Sequence, residues 1–172
     1  IANWCTMQSS CAAALEGDSQ TLSAVALLAP VPRPGKVFAI GLNYADHIEE
    51  SGMDSPSEQH WFTKAVTSVN GPFDPILIPK VSQTVDYEAE MVVIIGKEGK
   101  NLAEDDVASH IFGYCVGNDV TERMWQHRTP QWSLGKSFDT HAPIGPWITT
   151  ADEIEDPHCL LYTSPSPRDL YR

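Results

Sequence analysis

The chain reads Asp86-Tyr87-Glu88-Ala89-Glu90 and continues without a break into Met91-Val92-Val93-Ile94-Ile95-Gly96. An apolar, β-branched run that ends at a glycine predicts a buried strand. Because residues two apart on a strand project from the same face, the carboxylates of Glu88 and Glu90 should point into one space. Two neighbouring carboxylates repel each other and lose hydration when buried, so we expect a cation between them.

A third carboxylate, that of Asp119, follows a second strand-like run. Residues 111–116 read Ile-Phe-Gly-Tyr-Cys-Val, and a Gly-Asn-Asp turn comes directly after them. Ligation by oxygen atoms alone suits Mg²⁺, Mn²⁺ or Ca²⁺. Glu88, Glu90 and Asp119 are therefore candidate ligands of a divalent metal. The alternative for the Glu-x-Glu pair is the solvated face of an edge strand, since such carboxylates also occur in purely structural networks.

A histidine and a glutamate stand three residues apart in residues 41–50. Asn43 is a candidate cap for a short helix there. On that helix His47 and Glu50 would share a face, so the carboxylate could hold the imidazole in one tautomer and raise its basicity. The pair is a candidate catalytic dyad, and the alternative is an ordinary surface pair.

Four linked segments resemble the fumarylacetoacetate hydrolase superfamily, in the order and at the approximate spacing of that family. They are residues 38–47, 86–90, 117–123 and 131–140, and the similarity runs from about residue 31 to about residue 157. The resemblance implies a β-rich α+β fold, the mixed β-sheet roll of the fumarylacetoacetase-like catalytic domain, which is incomplete here.

The resemblance also divides the chain into three parts. We expect an N-terminal segment at 1–30, the N-terminal part of the catalytic domain at 31–160, and a tail at 161–172 that is foreign to the family. Proteins of the family continue beyond this point, so the chain is expected to be truncated at its C-terminus. Its first residue is Ile1, so we also expect the beginning to be missing or processed.

The resemblance assigns the metal and the catalytic base. Glu88, Glu90 and Asp119 match the family's metal ligands, usually for Mg²⁺ or Mn²⁺, with Ca²⁺ as a further option. His47 and Glu50 match the dyad that activates water. These roles come from the family and not from the spacing of the residues.

Substrate contacts are implied in the same way for Tyr44, Arg123, Gln126 and Lys136, and Lys136 is also implied as catalytic. Arg123 offers a planar fork suited to a carboxylate. Lys136 offers a compact charge for a developing enolate or oxyanion. Gln126 lies three residues beyond Arg123, so both would face one ligand from a helical turn. The structural alternative for Arg123 and Lys136 is ion pairing with the surplus acidic residues.

The reaction implied is metal-dependent hydrolysis of a carbon–carbon bond in a β-dicarbonyl compound or 2-oxo acid, of the fumarylacetoacetate or acylpyruvate type. His47, oriented by Glu50, would deprotonate the attacking water. The same residues also suit oxaloacetate decarboxylation or tautomerisation, hydroxymuconate isomerisation and ureidoglycolate lysis. A hypothesis from another class is an inactive, truncated metal-binding module. The expected partners are a small anionic oxo-acid substrate and, for the full-length parent, a second copy in a homodimer.

Composition excludes some partners. Eleven basic and 23 acidic residues give a formal charge of −12, which argues against nucleic acid and anionic membranes as partners. No apolar run reaches the roughly 18 residues of a membrane span. The four cysteines at 5, 11, 115 and 159 have no zinc or redox spacing. They are interpreted as free thiols, with two disulfides as the alternative. The predicted compartment is the cytoplasm, with the mitochondrion as the alternative.

Local patterns predict the remaining elements. Strands are expected at 36–40, 61–63 and 148–150, and a loop around the second of them at 51–72. Residues 102–110 form the clearest helix pattern, with acidic residues in the first turn. A short helical turn is expected at 152–154.

Overall fold

The computed structural model describes residues 19–42 and 57–157. The strands in this part are β1 (Val37–Gly41), β2 (His60–Lys64), β3 (Val69–Asn70), β4 (Val85–Asp86), β5 (Ala89–Ile95), β6 (Ile111–Asn118), β7 (Thr121–Glu122) and β8 (Ala142–Thr150). The α-helices are α1 (Arg123–Gln126) and α2 (Ser133–Lys136), and 3₁₀ turns span Leu22–Ala24, Val66–Ser68, Glu104–His110 and Ala151–Glu153. The prediction of a β-rich α+β fold is confirmed.

Contacts divide the chain into two compact units. Within the described residues, unit A comprises 27–42, 57–90 and 116–146, and unit B comprises 19–26, 91–115 and 147–157. Strands β5, β6 and β8 each contribute residues to both units. The boundaries predicted at residues 30 and 160 stay predictions.

Parallel and antiparallel pairings are mixed. β1 and β2 form an antiparallel hairpin in which Gly41 pairs with His60. β4 and β7 are antiparallel, with Asp86 opposite Thr121, whereas β3 runs parallel to β8. The four-stranded sheet has the order β3-β8-β6-β5, so β5 is an outer strand among the described residues.

The run at 91–95 is a strand, as predicted, but it is not buried throughout. Ile94 is buried, whereas Val93 and Ile95 are 41% and 64% exposed. An outer strand has a neighbour on one side only, so part of its apolar surface stays accessible. The strand is therefore confirmed, whereas the expectation that it is buried holds only for part of it.

The helix predicted at 102–110 is a 3₁₀ helix over Glu104–His110, which corrects the expectation of a regular helix there. The backbone oxygen of Asp106 accepts from Ser109 Oγ at 2.8 Å and from His110 Nδ1 at 3.0 Å. Side chains that bond nearby carbonyls compete with the helical ladder, which favours short, tight turns.

The three predicted strands are confirmed: β1 is shifted by one residue, β2 is longer by one residue at each end, and the third is the end of the longer β8. The turn expected at 152–154 is the 3₁₀ turn Ala151–Glu153. The loop expected at 51–72 was too long, because its described part from residue 57 holds β2, a 3₁₀ turn and β3.

Polar side chains dominate the most deeply buried positions. The largest fully buried ones in the described residues are Lys136, His141, Glu122, Val120, Thr121 and Ser68. All six lie in unit A. Within the described ranges, no helix combines the length and apolar character needed to cross a membrane. Cys115 is buried, and the other three cysteines lie outside the described residues. The interpretation of the cysteines as free thiols stays a prediction.

Candidate active site

Asp119 is held between two lysine side chains in unit A. Lys64 Nζ donates to Asp119 Oδ1 at 2.5 Å and to the carbonyl of Val120 at 3.2 Å. Lys136 Nζ donates to the other carboxylate oxygen, Oδ2, at 2.7 Å. All three charged groups are buried. Each carboxylate oxygen therefore has its own ammonium donor, which compensates the loss of hydration.

Lys136 bridges two of the predicted metal ligands. Its Nζ is 2.7 Å from Glu88 Oε2 and 2.7 Å from Asp119 Oδ2. The Lys136 side chain is only 2% exposed. One cation beside Glu88 is thus a lysine of the chain itself, and the cation expected between Glu88 and Glu90 stays a prediction. Both carboxylates converge on one cation position.

Arg123 closes the other side of Glu88. Its Nη1 is 2.6 Å from Glu88 Oε1 and donates to Gln126 Oε1 at 3.1 Å. Its Nε and Nη2 both donate to Asp86 Oδ2, at 3.1 and 2.8 Å. Burial on its own would lower the pKa of Arg123, but the bonds to Asp86 and the charge of Glu88 outweigh burial and raise the pKa.

These contacts match both interpretations of the basic residues. Arg123 and Gln126 share one side of α1, as their spacing predicts. Arg123 and Lys136 also form the ion pairs that were the structural alternative. Arg123 remains one-quarter exposed, so it is the more accessible of the two.

Glu122 fixes the position of α1. Its Oε2 accepts from the backbone N of Trp125 at 2.7 Å and caps the helix. Its Oε1 accepts from Ser82 Oγ at 3.0 Å and from Thr84 Oγ1. Burial alone would raise the pKa of Glu122, but these donors stabilise the charged form and lower the pKa.

Gly135 sets the spacing between the two short helices. A Cβ added there would overlap the backbone of Gln126 and the carbonyl of Glu122. Only glycine permits this close approach. Lys136 follows directly, so the same contact determines where its side chain starts.

Backbone bonds link the segments that carry the two carboxylates. The amide of Asp119 donates to the carbonyl of Glu88 at 2.9 Å. The amide of Glu88 donates to Asn118 Oδ1, also at 2.9 Å. Because these bonds fix both backbones, the separation of the two side chains is a property of the fold.

The predicted three-carboxylate metal site is only partly assembled. Half-buried Asp86, Glu88 and Glu90 alternate with exposed Tyr87 and Ala89, which confirms the shared side of the segment. In residues 19–42 and 57–157, however, no three His, Cys, Asp or Glu side chains lie close enough to hold a metal. The set of three ligands therefore stays a prediction. The donor chemistry of Glu88 and Asp119 does fit a hard divalent ion.

The predicted dyad and one predicted substrate contact cannot be placed. His47, Glu50 and Tyr44 lie outside the described residues. Their roles stay predictions from the sequence.

Sequence reasoning missed Lys64, Asp86 and Glu122 as parts of this site. Asp86 had a signal, since it lies two residues before Glu88 and shares its side of the segment. Glu122 had one too, because the helix dipole favours an acidic residue directly before a helical turn. Lys64 had none, because its partner Asp119 is 55 residues away in the chain. Burial lowers the pKa of Lys64, although the charge of Asp119 opposes this.

His141 was missed as well, and it anchors a neighbouring backbone. It is fully buried, and its Nε2 donates to the carbonyl of Leu77 at 3.2 Å. The Leu77 amide donates to Thr140 Oγ1 at 2.8 Å. Burial lowers the pKa of His141, and the charge of Lys64 acts in the same direction. His141 Nδ1 has no hydrogen-bond partner among the described residues.

Comparison with known proteins identifies the family. The sequence profile of the fumarylacetoacetate (FAA) hydrolase C-terminal family matches residues 36–165. The chain belongs to this family. The match confirms the resemblance inferred from the four segments. It contains the residues joined by the ion pairs described above, which are called the ionic site: Lys64, Asp86, Glu88, Asp119, Arg123 and Lys136.

One relative in the family is an oxaloacetate tautomerase. A mitochondrial oxaloacetate tautomerase of Xenopus laevis is 47% identical over 151 residues, which cover 86% of this chain and 47% of that protein. The chain thus spans about half the length of this curated relative.

Two solved structures of family enzymes share the fold. The maleylpyruvate hydrolase of Sphingobium sp. SYK-6, in complex with manganese(II) and pyruvate, is 34% identical with a TM-score of 0.75, over 91% of this chain and 54% of that one. The 5-carboxymethyl-2-hydroxymuconate delta-isomerase of Mycobacterium smegmatis is 41% identical with a TM-score of 0.68, over 78% and 53% of the two chains.

Proposed function

We propose that the protein is an enzyme that stabilises the enolate form of a small anionic 2-oxo acid. The observation that carries this proposal is the buried Lys136 ammonium, fixed between Glu88 and Asp119. A preorganised cation in a water-poor site stabilises negative charge on a substrate oxygen without having to reorganise. Tautomerisation and carbon–carbon cleavage both pass through an enolate, in which a substrate oxygen carries negative charge.

Arg123 is the proposed binding group for the substrate's carboxylate. It is the most accessible cation of the ionic site, and its guanidinium already meets the carboxylate of Asp86. A substrate carboxylate has the same chemistry as Asp86 and could replace part of that contact. Gln126, which accepts from Arg123, would keep the guanidinium oriented.

A divalent metal is part of the proposal, with Glu88, Glu90 and Asp119 as the residues that would hold it. Donor chemistry supports it in this chain, and manganese in the related maleylpyruvate hydrolase supports it for the family. When bound, such an ion supplies Lewis-acid stabilisation of substrate oxygens. Glu88→Ala and Glu90→Ala should each abolish binding of Mg²⁺ or Mn²⁺ in isothermal titration, because few protein ligands are available. Unchanged affinity in both variants would remove these residues from the site.

The first candidate reaction is keto–enol tautomerisation of an oxaloacetate-like acid. It is supported by the 47% identity to the Xenopus laevis tautomerase. The test is turnover of enolic oxaloacetate by the protein, expressed from its complete reading frame. Lys136→Met should lower kcat about 100-fold or more, whereas Lys36→Met, at an exposed lysine of unit A, serves as the matched control. Wild-type turnover in Lys136→Met would refute the role of Lys136.

Carbon–carbon bond hydrolysis is the second candidate, and the His47–Glu50 pair in the sequence favours it. If His47 activates water, His47→Ala should lower hydrolysis of acylpyruvates or fumarylacetoacetate by about 10²- to 10⁴-fold. Tautomerisation needs no water activation and should fall less. Metal affinity should stay unchanged, because His47 is proposed as a base and not as a ligand. Equal turnover of all substrates by His47→Ala and the wild type would refute the dyad.

Three further proposals concern the whole protein. The inactive-module hypothesis predicts no turnover of any of these acids, so measurable turnover would exclude it.

The mitochondrial tautomerase among the relatives favours the mitochondrion over the predicted cytoplasm. A homodimer is proposed for the full-length protein, and light scattering would test it.

A further inference from the structure

Lys136 has an aromatic neighbour as well as its two carboxylates. Its Nζ lies 4.9 Å from the centroid of the Phe62 ring, within the range in which a ring face attracts a cation. Both side chains are buried. An ammonium group has three N–H donors, and Glu88 and Asp119 together take two of them. Among the described residues, the Phe62 ring is a third neighbour of the ammonium group.

Phe62 is itself held by a stack of rings. Trp132 lies 5.5 Å from Phe62 at a tilt of 57° and stacks on His60 at 4.3 Å. Gly41, the strand partner of His60, makes room for Trp132, because an added Cβ there would overlap the indole ring. Trp132 directly precedes α2, which ends at Lys136. The stack and the lysine thus belong to one packed group in unit A.

Two side chains of β2, the strand that carries Phe62, contact the ionic site. Phe62 and Lys64 are two apart on β2, and both are buried, whereas Thr63 between them is exposed. One face of β2 therefore places a ring beside Lys136 and an ammonium on Asp119. The side chains on this face of β2 thus contact the ionic site, and their role is not limited to the apolar core.

A second phenylalanine–lysine pair in the same hairpin provides a control. Lys36 Nζ lies 5.7 Å from the ring centroid of Phe38. Phe38 is 57% exposed, and it contacts Trp61 edge-on. Water screens this contact, whereas the contact of Phe62 is shielded from it.

We propose that Phe62 is a positioning residue: its ring face holds the Lys136 ammonium where it meets Glu88 and Asp119. The effect on turnover rests on the proposed function of Lys136, whereas the contact itself can be tested without any activity. Lysine is a flexible side chain with many rotamers. Restricting it to one position keeps the charge where substrate negative charge would develop.

The test replaces Phe62 by phenylalanines that carry one, two or three fluorine atoms. Fluorine withdraws electrons from the ring face with little change in shape, so the attraction for a cation weakens stepwise. We expect kcat to fall in the same order, by about tenfold in total, with KM nearly constant. The same series at Phe38 should leave kcat unchanged. Phe62→Leu should lower kcat, and Phe62→Tyr should retain most of it.

A double-mutant cycle, measured as the free energy of unfolding, separates this inference from the proposed function. Fluorination at position 62 should lower the free energy of unfolding in the wild type but not in Lys136→Met, which has no cation. Equal effects in both backgrounds would overturn the contact, whatever the activity. A flat kcat series at Phe62 together with an inactive Lys136→Met would overturn the positioning role and leave the function of Lys136 intact. Full activity of Lys136→Met would instead overturn the proposed function.

Discussion

The ionic site of unit A and the part of strand β5 that lies in unit B have opposite relations between polarity and burial. At the ionic site, Lys136 is 2% exposed although it is charged. On β5, Ile95 is 64% exposed although it is apolar and β-branched. The charged groups tolerate burial because each one contacts an opposite charge, whereas an unpaired buried charge would be strongly destabilising. Burial in this chain therefore follows pairing and strand position, and not hydropathy alone.

This contrast predicts which substitutions matter. Removal of a lysine from the ionic site leaves buried carboxylate oxygens without their donor. Removal of an apolar group at an exposed position of β5 should change the free energy of unfolding little, because most of that side chain is already in contact with water. Four substitutions test the contrast, each by urea unfolding of the protein expressed from its complete reading frame.

Lys136→Met should have the largest effect. It leaves one oxygen of Glu88 and one of Asp119 without their shared donor. We expect the free energy of unfolding to fall by about 3–5 kcal/mol, as for a broken buried ion pair. Lys36→Met should change it by less than about 0.5 kcal/mol. Equal effects of the two substitutions would break the contrast.

Lys64→Met should have a smaller effect, because it removes the donor of one carboxylate, whereas Lys136→Met removes the donor of two. A loss of about 2 kcal/mol is expected from removal of the second donor to the buried carboxylate. Combining Lys64→Met with Asp119→Asn isolates the pair in a double-mutant cycle. A coupling energy near zero would show that the two groups do not interact in solution.

Glu122→Gln should lower the free energy of unfolding by about 1–2 kcal/mol at neutral pH, because an amide replaces a carboxylate that accepts three donors. The pKa of Glu122 is lowered in the folded state, so its stabilising effect is full above its unfolded pKa of 4.5. This effect disappears as the pH falls through the folded pKa. The difference between wild type and variant should therefore shrink in acid, and a constant difference would contradict the pKa shift.

Ile95→Thr should have the smallest effect. Threonine keeps the β-branch that suits a strand, and much of the isoleucine side chain is already exposed. We expect a change within about 0.5 kcal/mol, with Ile94→Thr at the buried neighbour as a larger, matched comparison. A large loss for Ile95→Thr would mean that another surface covers it in the protein.

Much of the fold could be predicted from short-range patterns. The alternation around Glu88 and the β-branched run at 91–95 identified strands, because strand formation depends on periodicity over a few residues. Burial at the end of β5 could not be predicted, since it depends on which strand becomes the sheet's outer one. The 3₁₀ helix at Glu104–His110 was mistaken for a regular helix, because its side-chain bonds to the backbone leave no periodic signal.

The candidate site was predictable where a motif or spacing exists. Arg123 and Gln126 share a helical face, as three-residue spacing predicts. Lys64 and Phe62 escaped notice because their partners Asp119 and Lys136 lie far away in the chain. Long-range pairs of this kind are set by tertiary packing, and a single sequence carries no local trace of them.

Leu77 illustrates how a segment can be fixed without depending on its own side chain. Thr140 Oγ1 accepts a hydrogen bond from the Leu77 amide, and His141 donates one to the Leu77 carbonyl. Leu77 itself is 63% exposed. The path of the backbone is thus determined by two residues elsewhere in the chain. Position 77 can be varied, labelled with a probe or used to attach a reporter group, and the main chain at this point would keep its path.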